Sequence, residues 1–212
     1  MVSVYRSVKQ TCEVKIEINK SLFIAYVSPA ETETAAVSFI EEIKKRHKEA
    51  SHNCSAYIIG RHGRQQKADD DGEPGGTAGR PILEVLNKAD IKNAVIVVTR
   101  YFGGIKLGAG GLIRAYTQAA AAGLAAAVIV EKQLHIRLAI VVDYSLLGTA
   151  ENQLRLNNYP VEAKEFAETV TITALARKGG EDKLSQLIAD CTSAQAVVRE
   201  TGELYLEVLP AT

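Results

Sequence analysis

VIVVTRYFGGIKLGAGGLIRAYTQAAAAGLAAAV, from Val95 to Val128, passes from a continuously apolar run through a glycine-dense loop into an alanine-rich segment. Val95-Ile96-Val97-Val98 has no polar face, so Ala94 to Arg100 reads as a central strand buried on both sides. Leu112 to Val128 reads as a helix whose small residues allow tight packing on a sheet. Gly103, Gly104, Gly108, Gly110 and Gly111 separate the two, and glycine at this density lets backbone approach backbone or ligand closely. A loop entering a helix in this way can cradle an anion, because free N–H groups at the helix start point into it. Arg100, Lys106 and Arg114 lie near enough in sequence to supply positive charge. Tyr101 and Phe102 either stack on bases or pack in the core at the strand end.

A second glycine-dense segment precedes this one. Asp69, Asp70, Asp71 and Glu73 place four carboxylates ahead of Gly75, Gly76 and Gly79, with Gly72 among them. The two segments together hold nine of the sixteen glycines. The acidic run is open to three readings: a hard-cation site, although its spacing departs from the D-x-[DN]-x-[DN]-G loop; a self-capping turn; or a partner-facing surface. Thr77 is placed to N-cap a helix beginning at Pro81, with Arg80 beside it. The groove-shaping set is thus Asp70, Asp71, Gly72, Glu73, Gly75, Gly76, Thr77, Gly79 and Arg80. The phosphate- or nucleic-acid-contacting set is Arg100, Tyr101, Gly103, Gly104, Lys106, Gly108, Gly110, Gly111 and Arg114.

Familiar phosphate motifs are missing. The loop has no Walker lysine followed by Ser or Thr, and Gly108-x-Gly110-Gly111 is only part of G-x-G-x-x-G. Galactokinase-type loops carry serines that are absent here. His47, His52, His62 and His135 lack zinc-ligand spacing, and His52 with Cys54 has no identifiable orienting group for nucleophilic catalysis. No catalytic residue, metal or cofactor is expected.

Working outward, Val14 to Ile18 and Leu22 to Val27 form a hairpin broken at Asn19-Lys20-Ser21. Thr32 or Thr34 caps a helix over Ala35 to Lys48, and Ser55 to Gly60 reads as another strand. After a boundary near Glu131 to His135 the rhythm changes. Strands over Leu134–Tyr144, Val161–Phe166, Thr169–Ala176 and Glu203–Leu209 and helices over Ser145–Asn157 and Gly180–Cys191 give the order βαββαβ, the split pattern of ferredoxin-like folds. The expected architecture is α+β with two domains, residues 1–133 and 134–212.

The composition, 47% hydrophobic and 24% charged over 212 residues, is that of a folded chain. Cys12, Cys54 and Cys191 form no disulfide framework, and neither a signal peptide nor a membrane span is visible, so a cytoplasmic location is expected. The zero net charge divides into +4 over residues 1–133 and −4 over 134–212. That is compatible with a polyanionic partner but far from the charge of a dedicated nucleic-acid binder.

DDGEPGGTAGRPIL, Asp70 to Leu83, and VTRYFGGIKLGAGGLIRAY, Val98 to Tyr116, resemble the signatures of the Impact family. HNCSAYIIG, His52 to Gly60, and KSLFIAYV, Lys20 to Val27, follow its pattern too, except that the family often carries Arg where Leu22 stands. In length the chain is similar to the bacterial YigZ-type members. The resemblance implies a first domain similar to domain 2 of ribosomal protein S5 and a ferredoxin-like second domain akin to those of elongation factor G. Eukaryotic members regulate translation by binding the activator of a starvation-sensing kinase. The resemblance therefore implies a translation-linked regulatory protein that binds RNA, the ribosome or a protein partner without catalysis, with no membrane and no DNA specificity. The alternative is an enzyme or binding protein for a small phosphorylated ligand in the glycine-rich groove.

Overall fold

The apolar run at Ala94–Tyr101 becomes the middle strand of a five-stranded antiparallel sheet, where cover on both faces is available. The computed structural model describes residues 2–209. It divides mainly into residues 4–131 and 132–208. In the first unit the elements are β1 (Val4–Val8), β2 (Cys12–Ile18), β3 (Ser21–Pro29), α1 (Glu33–Arg46), β4 (His52–Ile59), β5 (Gln65–Asp69), α2 (Gly79–Lys88), β6 (Ala94–Tyr101) and α3 (Gly108–Ala126). The sheet order is β2-β3-β6-β4-β5. Val95 and Val97 of β6 pack with Ile40 and Ile43 of α1 on one face. Ile96 and Val98 pack with Ile82 and Leu86 of α2 and with Tyr116 and Ala119 of α3 on the other. Alternation along β6 thus feeds two separate apolar layers, and the side chain of Arg100 falls on the α2–α3 side.

Local chemistry sets the ends of these elements. Asn19 and Lys20 both take positive φ, +47° and +64°, in a two-residue turn joining the paired residues Ile18 and Ser21, the combination a type I′ hairpin requires. Thr32 caps α1 by accepting from Ala35 N at 3.1 Å. β1 and β5 are additions to the strands expected from the sequence. All five residues of β5 are exposed at the sheet edge, and Lys9 N, just past β1, donates to Val128 O at 2.8 Å.

The second unit has β7 (Ile129–Val142, entering from the first unit), α4 (Tyr144–Leu156), β8 (Val161–Phe166), β9 (Val170–Arg177), α5 (Glu181–Cys191) and β10 (Val197–Val208). β10 pairs with β7, β7 with β9 and β9 with β8. Ile136, Leu138, Ile140 and Val142 alternate toward Ala150 and Leu154 of α4 and Leu184 and Ile188 of α5. On the opposite side of β7, Arg137 grips Glu162 with Nε and NH2 at 2.6 and 2.8 Å. Over the described residues the fold is α+β, with two sheets and five helices.

Two glycines fix how closely the layers approach. A Cβ at Gly123 of α3 would lie 2.9 Å from Ala25 Cβ and 3.0 Å from Val27 Cγ2, and one at Gly103 would lie 1.9 Å from Lys20 O. Gly123→Ala is expected to lower stability by about 1–3 kcal/mol through overpacking. Gly103→Ala meets backbone, which yields less than a side chain, and is expected to cost more, at least about 3 kcal/mol. Urea midpoints of the two variants test the order, and an equal or reversed ranking would refute it.

Candidate functional site

The acidic loop before α2 folds because each carboxylate finds its own donors. The N–H groups of Ala78 and Gly79 donate to Asp70 Oδ1 at 3.0 and 2.8 Å, and Gly76 N donates to Oδ2 at 2.7 Å. Asp70 therefore caps α2, which begins at Gly79 and not at Pro81. Thr77 does not cap it: its hydroxyl donates to Pro74 O at 2.6 Å, and Ala78 holds the cap position. A carboxylate that serves two helix N–H groups and the helix dipole outcompetes a neutral hydroxyl there. Asn53 N and Lys44 Nζ donate to Asp71 at 2.6 and 2.8 Å, tying the loop to β4 and α1. Asp69 Oδ1 accepts from Asp71 N at 2.9 Å. Burial opposes ionisation of Asp70, but the N–H groups of Gly76, Gly79 and Ala78 outweigh it and hold the carboxyl below its usual value. Burial likewise opposes ionisation of Asp71, and Lys44 with Asn53 N brings it down.

Glu73 turns inward instead. Its side chain is 4% exposed and that of Arg100 is 7%. Arg100 NH1 and Tyr116 OH both donate to Glu73 Oε1 at 2.7 Å. The guanidinium carbon of Arg100 lies 5.6 Å from the Phe23 ring centre and 5.4 Å from that of Phe102, close enough for cation–π attraction. Tyr116 meets Phe23 edge to face at 5.3 Å. Nε of Arg100 is buried without a hydrogen-bond partner. Cys54 sits beside this network, its thiol donating to Asp70 O at 3.0 Å, and burial pushes its ionisation upward, which keeps it an inert thiol.

Above the network opens a cavity of about 440 Å³, walled by His52, Glu73 and Arg100, by Lys106 to Ala109, and by Phe102. Leu107, at the cap position of α3, offers no side-chain hydrogen bond to that helix's N-terminus. Nineteen residues of helix thus direct their positive dipole end at this opening. His52 Nδ1 lies 2.8 Å from Asp71 O, and its Nε2 lies 3.9 Å from Glu73 Oε2.

The cavity gathers Glu73, Arg100, Lys106 and Gly108 from the residues expected to act. Tyr101 faces the other side of β6, where its hydroxyl meets His47 Nδ1 at 2.9 Å. Gly103 packs on the Lys20 backbone and Gly111 on Leu107. Gly104, Gly110, Arg114, Gly72, Gly75 and Arg80 are exposed. His52 and Phe102 lie outside the set of expected site residues. The signal for His52 is register, since it pairs directly across from Arg100; Phe102 follows from being one step past the strand end. Among the described residues, no group of three or more His, Cys, Asp or Glu side chains converges in a metal-holding arrangement.

Removing the Asp70 carboxylate by Asp70→Ala is expected to cost about 2–3 kcal/mol, since three N–H groups lose a charged acceptor. The folded-state values of Asp70 and Asp71 lie below the unfolded value, so their stabilisation is full above about pH 4 and is lost as pH falls through the folded values. Asp70→Asn should flatten that acid-side loss in urea titrations; an unchanged acid profile would refute it. Arg100→Ala leaves Glu73 buried without its cation and is expected to cost about 3–5 kcal/mol, whereas a loss below about 1 kcal/mol would show the pair to be dispensable for folding.

Comparison with known proteins places these residues in a family. The Impact N-terminal domain matches residues 19–124, and a domain of unknown function, DUF1949, matches residues 140–195. The IMPACT family member YvyE of Bacillus subtilis is 44% identical over 207 residues, 98% of this chain and 95% of that protein. YigZ of Escherichia coli, also an IMPACT family member, is 42% identical over 102 residues, 47% of this chain and 50% of its own. Protein IMPACT of Mus musculus is 34% identical over 100 residues, 45% of this chain and 31% of its own. A crystal structure described as that of a hypothetical protein aligns with a TM-score of 0.63 at 27% identity over 93% of this chain and 97% of its own. A match across half the chain by the domain and across nearly all of it by YvyE is decisive: the chain belongs to the Impact family.

Proposed function

We propose that the protein is a translation-linked regulatory protein of the cytoplasm that binds RNA or the ribosome through non-covalent contacts. The observation that carries this reading is the start of α3, which has no side-chain cap and opens on a cavity containing Lys106 and the buried guanidinium of Arg100, whose Nε has no partner. Helix N–H groups, a dipole and two cations in one concavity suit a phosphate oxygen better than any other common group. Arg114, exposed about one to two turns along the same helix, adds a further cation for phosphate beside it. Residues 70–79 give this opening a fixed wall, because their carboxylates are occupied by donors of their own loop, β4, α1 and the core.

Lys106 and Arg114 are the residues to alter, since Arg100 also holds the core together. Binding of the purified protein to ribosomes and to a mixed RNA pool is measured across a salt series with heparin competition. The wild type is expected to bind saturably and to weaken with salt. Lys106→Ala with Arg114→Ala should reduce the slope of log affinity against log salt by about 2, one for each phosphate that the variant no longer neutralises. An unchanged slope in the double variant, or no saturable binding by the wild type, sinks the proposal.

A further inference from the structure

The cavity that supports phosphate binding carries a second kind of group that an anion alone does not use. Glu73 Oε1 accepts from both Arg100 and Tyr116, whereas Oε2 lies 3.9 Å from Nε2 of His52. His52 Nδ1 lies 2.8 Å from the carbonyl of Asp71, which accepts and cannot donate, so in the neutral ring the proton sits on Nδ1 and Nε2 presents a lone pair. Two acceptors therefore face the same space as the N–H groups of α3. A bare anion bound there would meet a carboxylate with nothing to give it. A ligand that offers both an anion and a hydroxyl donor satisfies both walls. Phe102, 49% exposed and lining the same cavity, adds a flat apolar surface. A volume of about 440 Å³ is in the range of sites for small organic molecules.

We propose that this cavity takes one ribonucleotide residue: its phosphate on the N–H groups at the start of α3 and on Lys106, its base on Phe102, and its ribose 2′-hydroxyl donating to Glu73 Oε2 or His52 Nε2. The inference rests on the phosphate reading above and adds the chemistry that separates RNA from DNA. A deoxyribose entering the same place would desolvate a carboxylate oxygen and an imidazole nitrogen without replacing their hydrogen bonds. Discrimination against a ligand that lacks a hydroxyl is large for this reason. A nucleotide within a strand and a nucleotide free in solution share this recognition chemistry.

The test uses the full chain and fluorescence anisotropy with three labelled oligonucleotides of one sequence: RNA, DNA and 2′-O-methyl RNA. RNA is expected to bind about tenfold tighter than either of the others, the ratio that one hydrogen bond to a charged acceptor supports. His52→Ala should bring the RNA-to-DNA ratio down, and Phe102→Ala should weaken both by a similar factor. Circular dichroism checks that each variant is folded, and the wild-type comparison of three ligands needs no variant at all. Competition by adenosine 5′-monophosphate, and not by its 2′-deoxy analogue, assigns the site to a free nucleotide; competition by RNA oligonucleotides and not by DNA ones, with neither mononucleotide competing, assigns it to a strand. Both outcomes support the 2′-hydroxyl hydrogen bond. Equal, salt-sensitive binding of RNA and DNA overturns this inference and leaves the phosphate reading standing. No salt-sensitive binding to any of the three removes both.

Discussion

The ion pair between Arg100 and Glu73 joins three parts of the first unit. One partner comes from the end of the central strand, the other from an acidic loop, and the hydroxyl of Tyr116 on α3 completes the set. Desolvating two charges is costly, and such a pair contributes little net stability compared with apolar residues of the same volume. Its consequence is geometric. A carboxylate bonded at one oxygen by a guanidinium and a phenol is held in one orientation, with its second oxygen 3.9 Å from Nε2 of His52, beside it in the cavity wall. The loop is fixed at the same time by Asp70 and Asp71, so the wall needs no ligand to take its shape.

Two helix starts in this unit meet the same electrostatic problem and solve it differently. α2 receives the Asp70 carboxylate, which occupies the N–H groups of Ala78 and Gly79 and neutralises the dipole from within. α3 receives nothing comparable from its own loop, where Leu107 stands at the cap position. The difference lies in composition. The loop before α2 has four carboxylates within five residues, and the loop before α3 has none between Thr99 and Arg114, only glycine, apolar residues and cations. An internal anion closes the first helix start; the second remains open to an external one.

Much of this is legible in the sequence, and the parts that are not share a cause. The run Val95 to Val98 announces a strand buried on both faces, and the alternation from Leu134 onward announces the βαββαβ unit, because in both places burial is written directly into the pattern. β5 escapes because Gln65 to Asp69 pairs along an exposed edge, where backbone hydrogen bonds hold a strand that no hydrophobic alternation marks. Thr77 resembles a cap because capping patterns are local, whereas the carboxylate that caps α2 stands nine residues before Gly79 and is brought there by the fold of the loop. Arg100 reads from its charge as a group in contact with solvent. Its depth follows from strand parity: two residues beyond Val98 it still points into the α2–α3 layer, while Tyr101 points out of it. His52 reaches the cavity only through its register opposite Arg100, a pairing between strands far apart in the chain.

The electrostatic scale of the site constrains how it can recognise a partner. A chain with no net charge generates little long-range attraction for a polyanion, so encounter is not strongly steered. Lys106, Arg114 and one helix start can neutralise only a few phosphates, and the guanidinium of Arg100 is half spent on Glu73. In the proposed phosphate contact, counterion release at so few positions gives modest affinity with a shallow dependence on salt. Selectivity must then come from groups that do not carry net charge into the interface: an aromatic face, an imidazole lone pair, and a carboxylate whose charge is already matched by its neighbour. Those are the groups that the buried pair and the loop carboxylates hold in place, which is why a site built on internal ion pairing can serve recognition without making the protein a strongly basic one.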